Sequence, residues 1–390
     1  MVIDAVRFDS SQPVRITLEE ATIRFVTSVV PTAGRTSPLP YVAPGLIDLQ
    51  VNGYGGQEFC SRELTVEKVW RITEKLWEWG TTRYCPTLTT QPAEVIEHSL
   101  KILTAAVREN PAVARSVVGF HLEGPFISPE DGPRGAHPKE HCLRPDWELF
   151  CRWQEAAEGR IRMVTLAPEL EGAIDFIEKA VHTGVVIALG HTAATADQVR
   201  AAAEAGAKLS THLGNGCSAT MHRHRNPIWP QLAEDRLWAS FIADGQHLPP
   251  EVLKCFLRAK GPARSILVSD LSGQAGQPPG IYRSPFCDVE VLPDGKLVVP
   301  GQREYLAGAS QPLLRGIVGA KCFAGLDWAT AIRLASLNPA RLLGLSDDWL
   351  APGNPAELIL FDVAEAESPG GVPELKLRQV ICGTEARLAS

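Results

Sequence analysis

The chain has no C-x-x-C pair, no long run of Lys or Arg, and no stretch of about 18 apolar residues free of charge. Each absence excludes something. The 9 cysteines stand singly at Cys60, Cys85, Cys142, Cys151, Cys217, Cys255, Cys287, Cys322 and Cys382. That odd total without paired spacing argues against a disulfide framework and a thiolate zinc cluster, and predicts mostly buried thiols. A formal net charge of -7 with no basic tract lacks the electrostatic footprint of a nucleic-acid binder. The missing apolar run argues against a membrane span. The opening "MVIDAVRFDSSQPVRITLEE" has no basic segment leading into an apolar one, so the expected compartment is the cytoplasm and the expected partner a small molecule.

Several motifs are missing as well. "PGLIDLQVNGYGG", residues 44–56, reads as an apolar strand running into glycine-rich backbone, where a barrel hydrolase often keeps a His-x-His metal pair; here Gln50 and Asn52 stand instead. No G-x-G-x-x-G follows this strand, which argues against the dinucleotide crevice of an open doubly wound sheet. "NGYGGQEFC" lacks the Lys and spacing of a phosphate-binding loop, and no Gly-x-Ser-x-Gly elbow offers a serine nucleophile.

What is present is a rhythm. Over 390 residues, 45% of them hydrophobic, apolar runs such as "SVVGFHLEG", "IRMVTLAPE", "GVVIALGH", "AKLSTHLGN", "LWASFIADG" and "SILVSD" alternate with helical stretches such as "TVEKVWRITEKLWEWG" and "TADQVRAAAEAG". That alternation predicts parallel strands with crossover helices, and a closed TIM-like (β/α)8 barrel over 43–349. Short alternating strands at both ends predict a small β-sandwich domain from 1–42 and 350–390. Trp70 and Trp77 fall at helical spacing and are expected to anchor the core.

Each barrel run ends in a polar residue: Glu123, Glu169, His191, His212, Asp244 and Asp270. A closed barrel delivers all its strand ends to one rim, where residues remote in sequence meet. Glu123, His191 and His212 offer one carboxylate and two imidazoles, a three-ligand set for one divalent ion such as Zn²⁺ with a position open for water. Either histidine alone could equally be a hydrogen-bonded strand-end residue; two imidazoles and a carboxylate together at strand ends of one barrel favour the metal. Gln50 and Asn52, being amides, are poor ligands for a second ion. Asp270, ahead of "LSGQAG", is the candidate general acid/base, although capping the following loop is an ordinary role for Asp.

With these residues in view, the sequence resembles the N-acetylglucosamine-6-phosphate deacetylases of the amidohydrolase superfamily over nearly its whole length. The resemblance rests on "PGLIDLQVNGYGG", "GFHLEGPFISPEDGPRGAHP", "LGHTAATADQ", "THLGNG", "IADGQHLPPEVLK", "LVSD", "LAGAS" and "SLNPARLLGL", in order. It extends to Gln50 and Asn52, since one branch of the family carries Gln-x-Asn and a single metal. It implies a homodimer that hydrolyses an N-acetyl amide to acetate and an amino sugar. It implies Glu123, His191 and His212 as metal ligands and Asp270 as acid/base. It also implies His137 facing the acetyl group, and Asn215 and His247 near the sugar. His121 is expected to be structural or to support Glu123.

One segment departs from the family. Where the family shows Asn-Ala-Met after this histidine, the chain reads "THLGNGCSATMHRHRNPIWPQL", keeping Asn215 but not Ala-Met. The family's phosphate-binding Arg reaches across the dimer, and Arg225 in "RNP" is its nearest counterpart, with Arg223 and His224 beside it. "MHRHR" reads equally as a solvated basic loop, and Trp229 as a stiffener or a sugar platform. Alternatives for the whole are a deacetylase of an unphosphorylated or different N-acetyl sugar, a hydrolase of cyclic amides, and a metal-free barrel that serves as a binding scaffold.

Overall fold

The computed structural model describes residues 1–29, 38–284, 288–366 and 371–388. Eight parallel strands follow one another in chain order: Leu46–Val51, Thr81–Thr89, Phe120–Glu123, Ile161–Leu166, Val186–Leu189, Leu209–Ser210, Trp238–Phe241 and Ser265–Leu267. The last returns to the first. Val51 pairs in parallel with Leu271, and Asp270 donates its amide to the Gln50 carbonyl at 3.0 Å. Closure removes both sheet edges and brings every strand's C-terminal end to one rim. The strands are buried on both faces, which is why they read as continuous apolar runs rather than alternating ones.

Helices pack outside. In Val66–Glu78, Thr65 caps the first turn by accepting from the Lys68 amide, and Val69, Ile72, Thr73, Leu76 and Trp77 form the buried face. Trp77 is fully buried, donates to Ser116 at 3.0 Å and meets Trp70 edge-on at 5.5 Å, an anchor as expected. Ala196–Glu204 opens with a capping box between Thr195 and Gln198.

The two ends of the chain combine in one seven-stranded mixed sheet. Its hinge strand, Tyr41–Pro44, pairs in parallel with Val2–Arg7 and antiparallel with Glu357–Ala364, then passes through Gly45 into the barrel. A Cβ on Gly45 would stand 2.0 Å from the Thr82 hydroxyl, so only glycine lets the sheet feed the first barrel strand this closely.

Two features differ from expectation. A four-stranded antiparallel sheet, Gly280–Arg283, Asp288–Val291, Leu297–Val299 and Gln302–Leu306, interrupts the barrel after the eighth strand and carries a small core of Val289, Val291, Leu297 and Ala307. The expectation of mostly buried thiols is also corrected. Among the described cysteines Cys60, Cys85 and Cys382 are buried, Cys142 and Cys217 are half-buried, and Cys151, Cys255 and Cys322 are exposed; Cys287 lies outside the described residues. The exposed three sit on outward faces of surface helices, where periodicity and not residue type sets burial. No helix among the described residues is long and apolar enough to cross a membrane.

Candidate metal centre and active site

Glu123 is the last residue of the third strand, and His191 and His212 each stand two residues beyond their strands; all three are buried. His191, His212 and Asp270 share an unusual backbone, with φ of 51°, 29° and 55°. Left-handed backbone at a non-glycine residue costs roughly 1–3 kcal/mol and persists only where the surroundings impose it. Here they do. The His212 amide donates to Ser240 Oγ at 2.8 Å and the Asp270 amide to the Gln50 carbonyl, so barrel closure itself holds these turns.

Glu123 Oε1 lies 3.2 Å from His191 Nε2 and 3.0 Å from His212 Nε2, and the two nitrogens are 3.1 Å apart. His191 Nδ1 donates to the Pro133 carbonyl at 2.9 Å, which leaves a lone pair on Nε2 facing the other two atoms. A carboxylate oxygen and imidazole lone pairs crowded this closely in a buried site demand a cation among them. Burial alone would raise the Glu123 pKa, but the two imidazoles outweigh it and hold the carboxyl well below its ordinary value. Burial alone would lower His212, and Glu123 reverses that. The donor set, one hard oxygen and two imidazoles, fits a divalent transition ion.

Gln50 turns its amide nitrogen, not its oxygen, toward this centre. Nε2 donates to Glu123 Oε1 at 2.7 Å and to Asp270 Oδ1 at 2.9 Å, while Asn52 Nδ2 donates to the same Asp270 oxygen at 2.8 Å. The place of a His-x-His pair is therefore taken by two amides that tether carboxylates. Because Oδ1 accepts both N–H groups, an exchangeable proton on Asp270 belongs on Oδ2. Burial, with the negative charge of Glu123, raises the Asp270 pKa to about 6, inside the range useful for proton transfer near neutrality.

His137 lies edge-on to His191, with ring centroids 4.4 Å apart. Thr90 offers its hydroxyl (2.8 Å) and amide (3.4 Å) to His137 Nδ1, which assigns the proton of the neutral ring to Nε2. Burial and the neighbouring His191 lower its pKa to about 3. His247 Nδ1 is 2.8 Å from Asp244 Oδ2, and Asp244 Oδ1 accepts from the amides of Gln246 and His247. His247 does not cap the helix Pro250–Lys260, whose start has no side-chain cap. Asn215 donates to the His212 carbonyl at 3.1 Å. His121 bridges Thr165 at 2.8 Å and Thr87 at 3.3 Å beneath Glu123, a structural post.

One cavity of about 580 Å³ is lined by Glu123, His137, His191, His212, Asn215, His247 and Asp270, with Asn52, Glu58 and Thr89. Ser284, Val289 and Leu306 bring the extra sheet to its wall. Arg225 is not brought there. It sits with His224 on an exposed loop beside a second cavity of about 490 Å³ that includes Thr195 and Pro230. Trp229 is half-exposed and donates to the Arg223 carbonyl at 2.8 Å, holding that loop to itself. Thr90, which orients His137, and Glu58 were missed by sequence reasoning; neither carries a local signal.

A closed parallel barrel that gathers a carboxylate and two imidazoles at its rim, beside a tethered carboxylic acid, defines the class of metal-dependent barrel hydrolases. Residues 41–383 match the amidohydrolase family. The chain is 32% identical over 321 residues to the N-acetylglucosamine-6-phosphate deacetylase of Bacillus subtilis (strain 168), covering 81% of this chain and 79% of that one. It is 32% identical over 324 residues to the N-acetylgalactosamine-6-phosphate deacetylase of Escherichia coli O157:H7, covering 82% and 83%. The crystal structure of N-acetyl-D-glucosamine-6-phosphate deacetylase from Mycobacterium smegmatis superposes with a TM-score of 0.86 over 100% of both chains, at 29% identity. The chain belongs to the amidohydrolase family and, within it, to the N-acetylglucosamine-6-phosphate deacetylase family. Membership makes it a metal-dependent hydrolase and implies a divalent ion.

Proposed function

We propose that the chain hydrolyses the N-acetyl amide of N-acetylglucosamine-6-phosphate to acetate and glucosamine-6-phosphate, as a cytoplasmic homodimer with one Zn²⁺ per subunit. The observation that carries this reading is the meeting of Glu123, His191 and His212 beside an Asp270 whose Oδ1 is tethered by two amides.

Glu123, His191 and His212 would hold the ion, which supplies Lewis acidity and a more acidic water. Asp270 Oδ2 accepts a proton from the attacking water as the new C–O bond forms at the acetyl carbonyl. His137 Nε2–H donates to the carbonyl oxygen as negative charge grows there. Asp270 then returns its proton to the nitrogen as the C–N bond breaks, releasing a neutral amine. Asn215 and His247 orient the sugar, and Asp244 keeps His247 in its tautomer. Arg225, held off its own cavity, serves the phosphate of the neighbouring subunit's substrate, where its planar fork suits a phosphate dianion.

The second reading is the galacto epimer, because a relative of that name is equally similar at 32% identity. Acetate release from the gluco and galacto 6-phosphates and from unphosphorylated N-acetylglucosamine separates the cases. Expected is turnover of the gluco 6-phosphate above the other two; equal turnover of the unphosphorylated sugar would remove the phosphate from the proposal.

A further inference from the structure

The glycine-rich "NGYGGQE" has a use. Gly53–Tyr54 and Gln57–Glu58 form a hairpin joined by Gly55 and Gly56 at φ of 63° and 84°, a two-residue turn open to glycine with little strain. The Gly55 amide donates to Ala275 at 2.8 Å and the Gly56 amide to Gly273 at 2.7 Å, so the hairpin is fastened to the loop that follows Asp270. This places the Glu58 side chain over Gly273, where a Cβ would come within 2.3 Å of Glu58 Cγ and 2.7 Å of Oε1. Glycine at 273 makes the room the carboxyl occupies.

Glu58 lines the same cavity as Asp270, and no Lys, Arg or His pairs with it among the described residues. Its one bonding group there is the Gly273 backbone, and burial raises its pKa to about 7. Glu58 is half-buried and reaches this open cavity with no cation beside it among the described residues, so no ion pair of the fold accounts for a carboxyl here. Among the described residues, two more polar atoms of the cavity lining have no hydrogen-bond partner: the buried hydroxyl of Thr89, a residue only 6% exposed, and Asn52 Oδ1. A carboxyl, a hydroxyl and an amide oxygen together want a ligand that both donates and accepts, which a sugar hydroxyl does.

We propose that Glu58, with Thr89 and Asn52, reads a ring hydroxyl on a carbon adjacent to the amide-bearing carbon, and is thereby a specificity-determining residue. The inference rests on the deacetylase reading above. In that reading Asp270 faces the departing nitrogen on C2. Groups fastened beside Asp270, as Glu58 is through Gly273 and Asn52 through its own bond, face the neighbours of C2, the hydroxyls on C1 and C3.

The test is acetate release by wild type, Glu58→Ala and Glu58→Gln on the N-acetylhexosamine 6-phosphate and its 1-deoxy, 3-deoxy and 4-deoxy analogues. Expected is a loss in kcat/KM of about 10–100-fold for Glu58→Ala on the parent sugar, the scale of one hydrogen bond to a charged or buried polar partner. The same loss should recur on the 4-deoxy analogue and vanish on either the 1-deoxy or the 3-deoxy one. Glu58→Gln, which keeps shape and bonding, should lose less in the same pattern with unchanged metal content. A uniform loss on all four sugars would make Glu58 structural and overturn the proposal, as would no loss on any or a loss that vanishes only on the 4-deoxy sugar. Wild type releasing no acetate from any of them would sink the deacetylase reading itself, and this proposal with it.

Discussion

The strand-end cluster and the loop 218–230 are both rich in histidine and charge, yet the barrel treats them oppositely. Glu123, His191, His212 and Asp270 are held by bonds from other strands: Gln50 from the first, Ser240 from the seventh, Pro133 from the third strand's loop. In the loop, bonds stay local. The amides of His224 and Arg225 donate to His222 Nδ1, Asn226 Nδ2 to the His222 carbonyl, and Trp229 Nε1 to Arg223. The cluster is rigid because barrel closure over-determines it, and the loop is shaped only by itself. Bond-breaking chemistry, which needs fixed geometry, fits the first. Recognition of a flexible phosphate fits the second.

The largest effect should come from the rigid side. Asp270→Asn leaves the Glu123, His191 and His212 set intact while removing the proposed proton carrier. Turnover should fall about 10²–10⁴-fold with metal content unchanged by elemental analysis. The raised pKa of Asp270, about 6, adds a pH signature. The carboxylate must be ionised to accept a proton, so wild-type kcat/KM should fall toward acid pH, at or below about 6 because a bound cation offsets the charge of Glu123, and the residual activity of the variant should lack that limb. A variant that lost its metal would show that Asp270 belongs to the ligand cage and not to proton transfer.

Arg225→Ala should act on the other side of the comparison, and more weakly. KM for a 6-phosphorylated sugar should rise about 10–100-fold, the scale of charge-assisted hydrogen bonds, with kcat and the unphosphorylated sugar little changed. Mixing this variant with Asp270→Asn sharpens the contrast. If Arg225 serves the neighbouring subunit, a mixed dimer contains one site with both residues intact and, at substrate concentrations well below the raised KM, regains a rate that neither parent reaches. If mixing restores nothing, the loop works within its own chain or not at all.

The same division governs what could be read from sequence. Barrel strands were legible because burial on both faces writes an uninterrupted apolar run, and each run's polar terminus announced a rim residue. The partners of those termini were not legible. Gln50 is 73 positions from Glu123 and 220 from Asp270, and only closure of the first strand on the eighth makes them neighbours. Read locally, Gln50 explained why a second ion is unfavourable; its bonds to both carboxylates appear only in three dimensions. Thr90 and Glu58 are hidden for the same reason. The extra sheet is different: "DVEV" and "KLVV" carry a strand signal around the turn "PDG", but a (β/α)8 alternation has no place for an antiparallel sheet after its eighth strand. Exposed cysteines were misread because residue type predicts burial only on average.

Rigidity of the cluster has a cost in stability, and Asp48 is where to measure it. Two residues before Gln50 on the same strand face, it is fully buried. Its Oδ1 accepts long bonds from the Gln50 and Ser269 amides, at 3.3 and 3.2 Å, while Oδ2 has no partner among the described residues. Burial, aided by the charge of Asp270, raises its pKa to about 7. A carboxyl whose folded pKa exceeds its unfolded value contributes fully at pH below about 4, and that contribution declines as pH rises to about 7 and stays lost above. Asp48→Asn removes the ionisation. It should stabilise the protein by about 1–3 kcal/mol at pH 8, below the full shift because the new amide N–H group must find an acceptor near Oδ2. The gain in Tm should grow from pH 5 to about pH 7 and then level off. No counterpart is expected in the loop, where Arg223, His224 and Arg225 are exposed. A difference in Tm independent of pH would mean that Asp48 is neutral or ionised throughout, and that the rigid face is built without charging its buried acid.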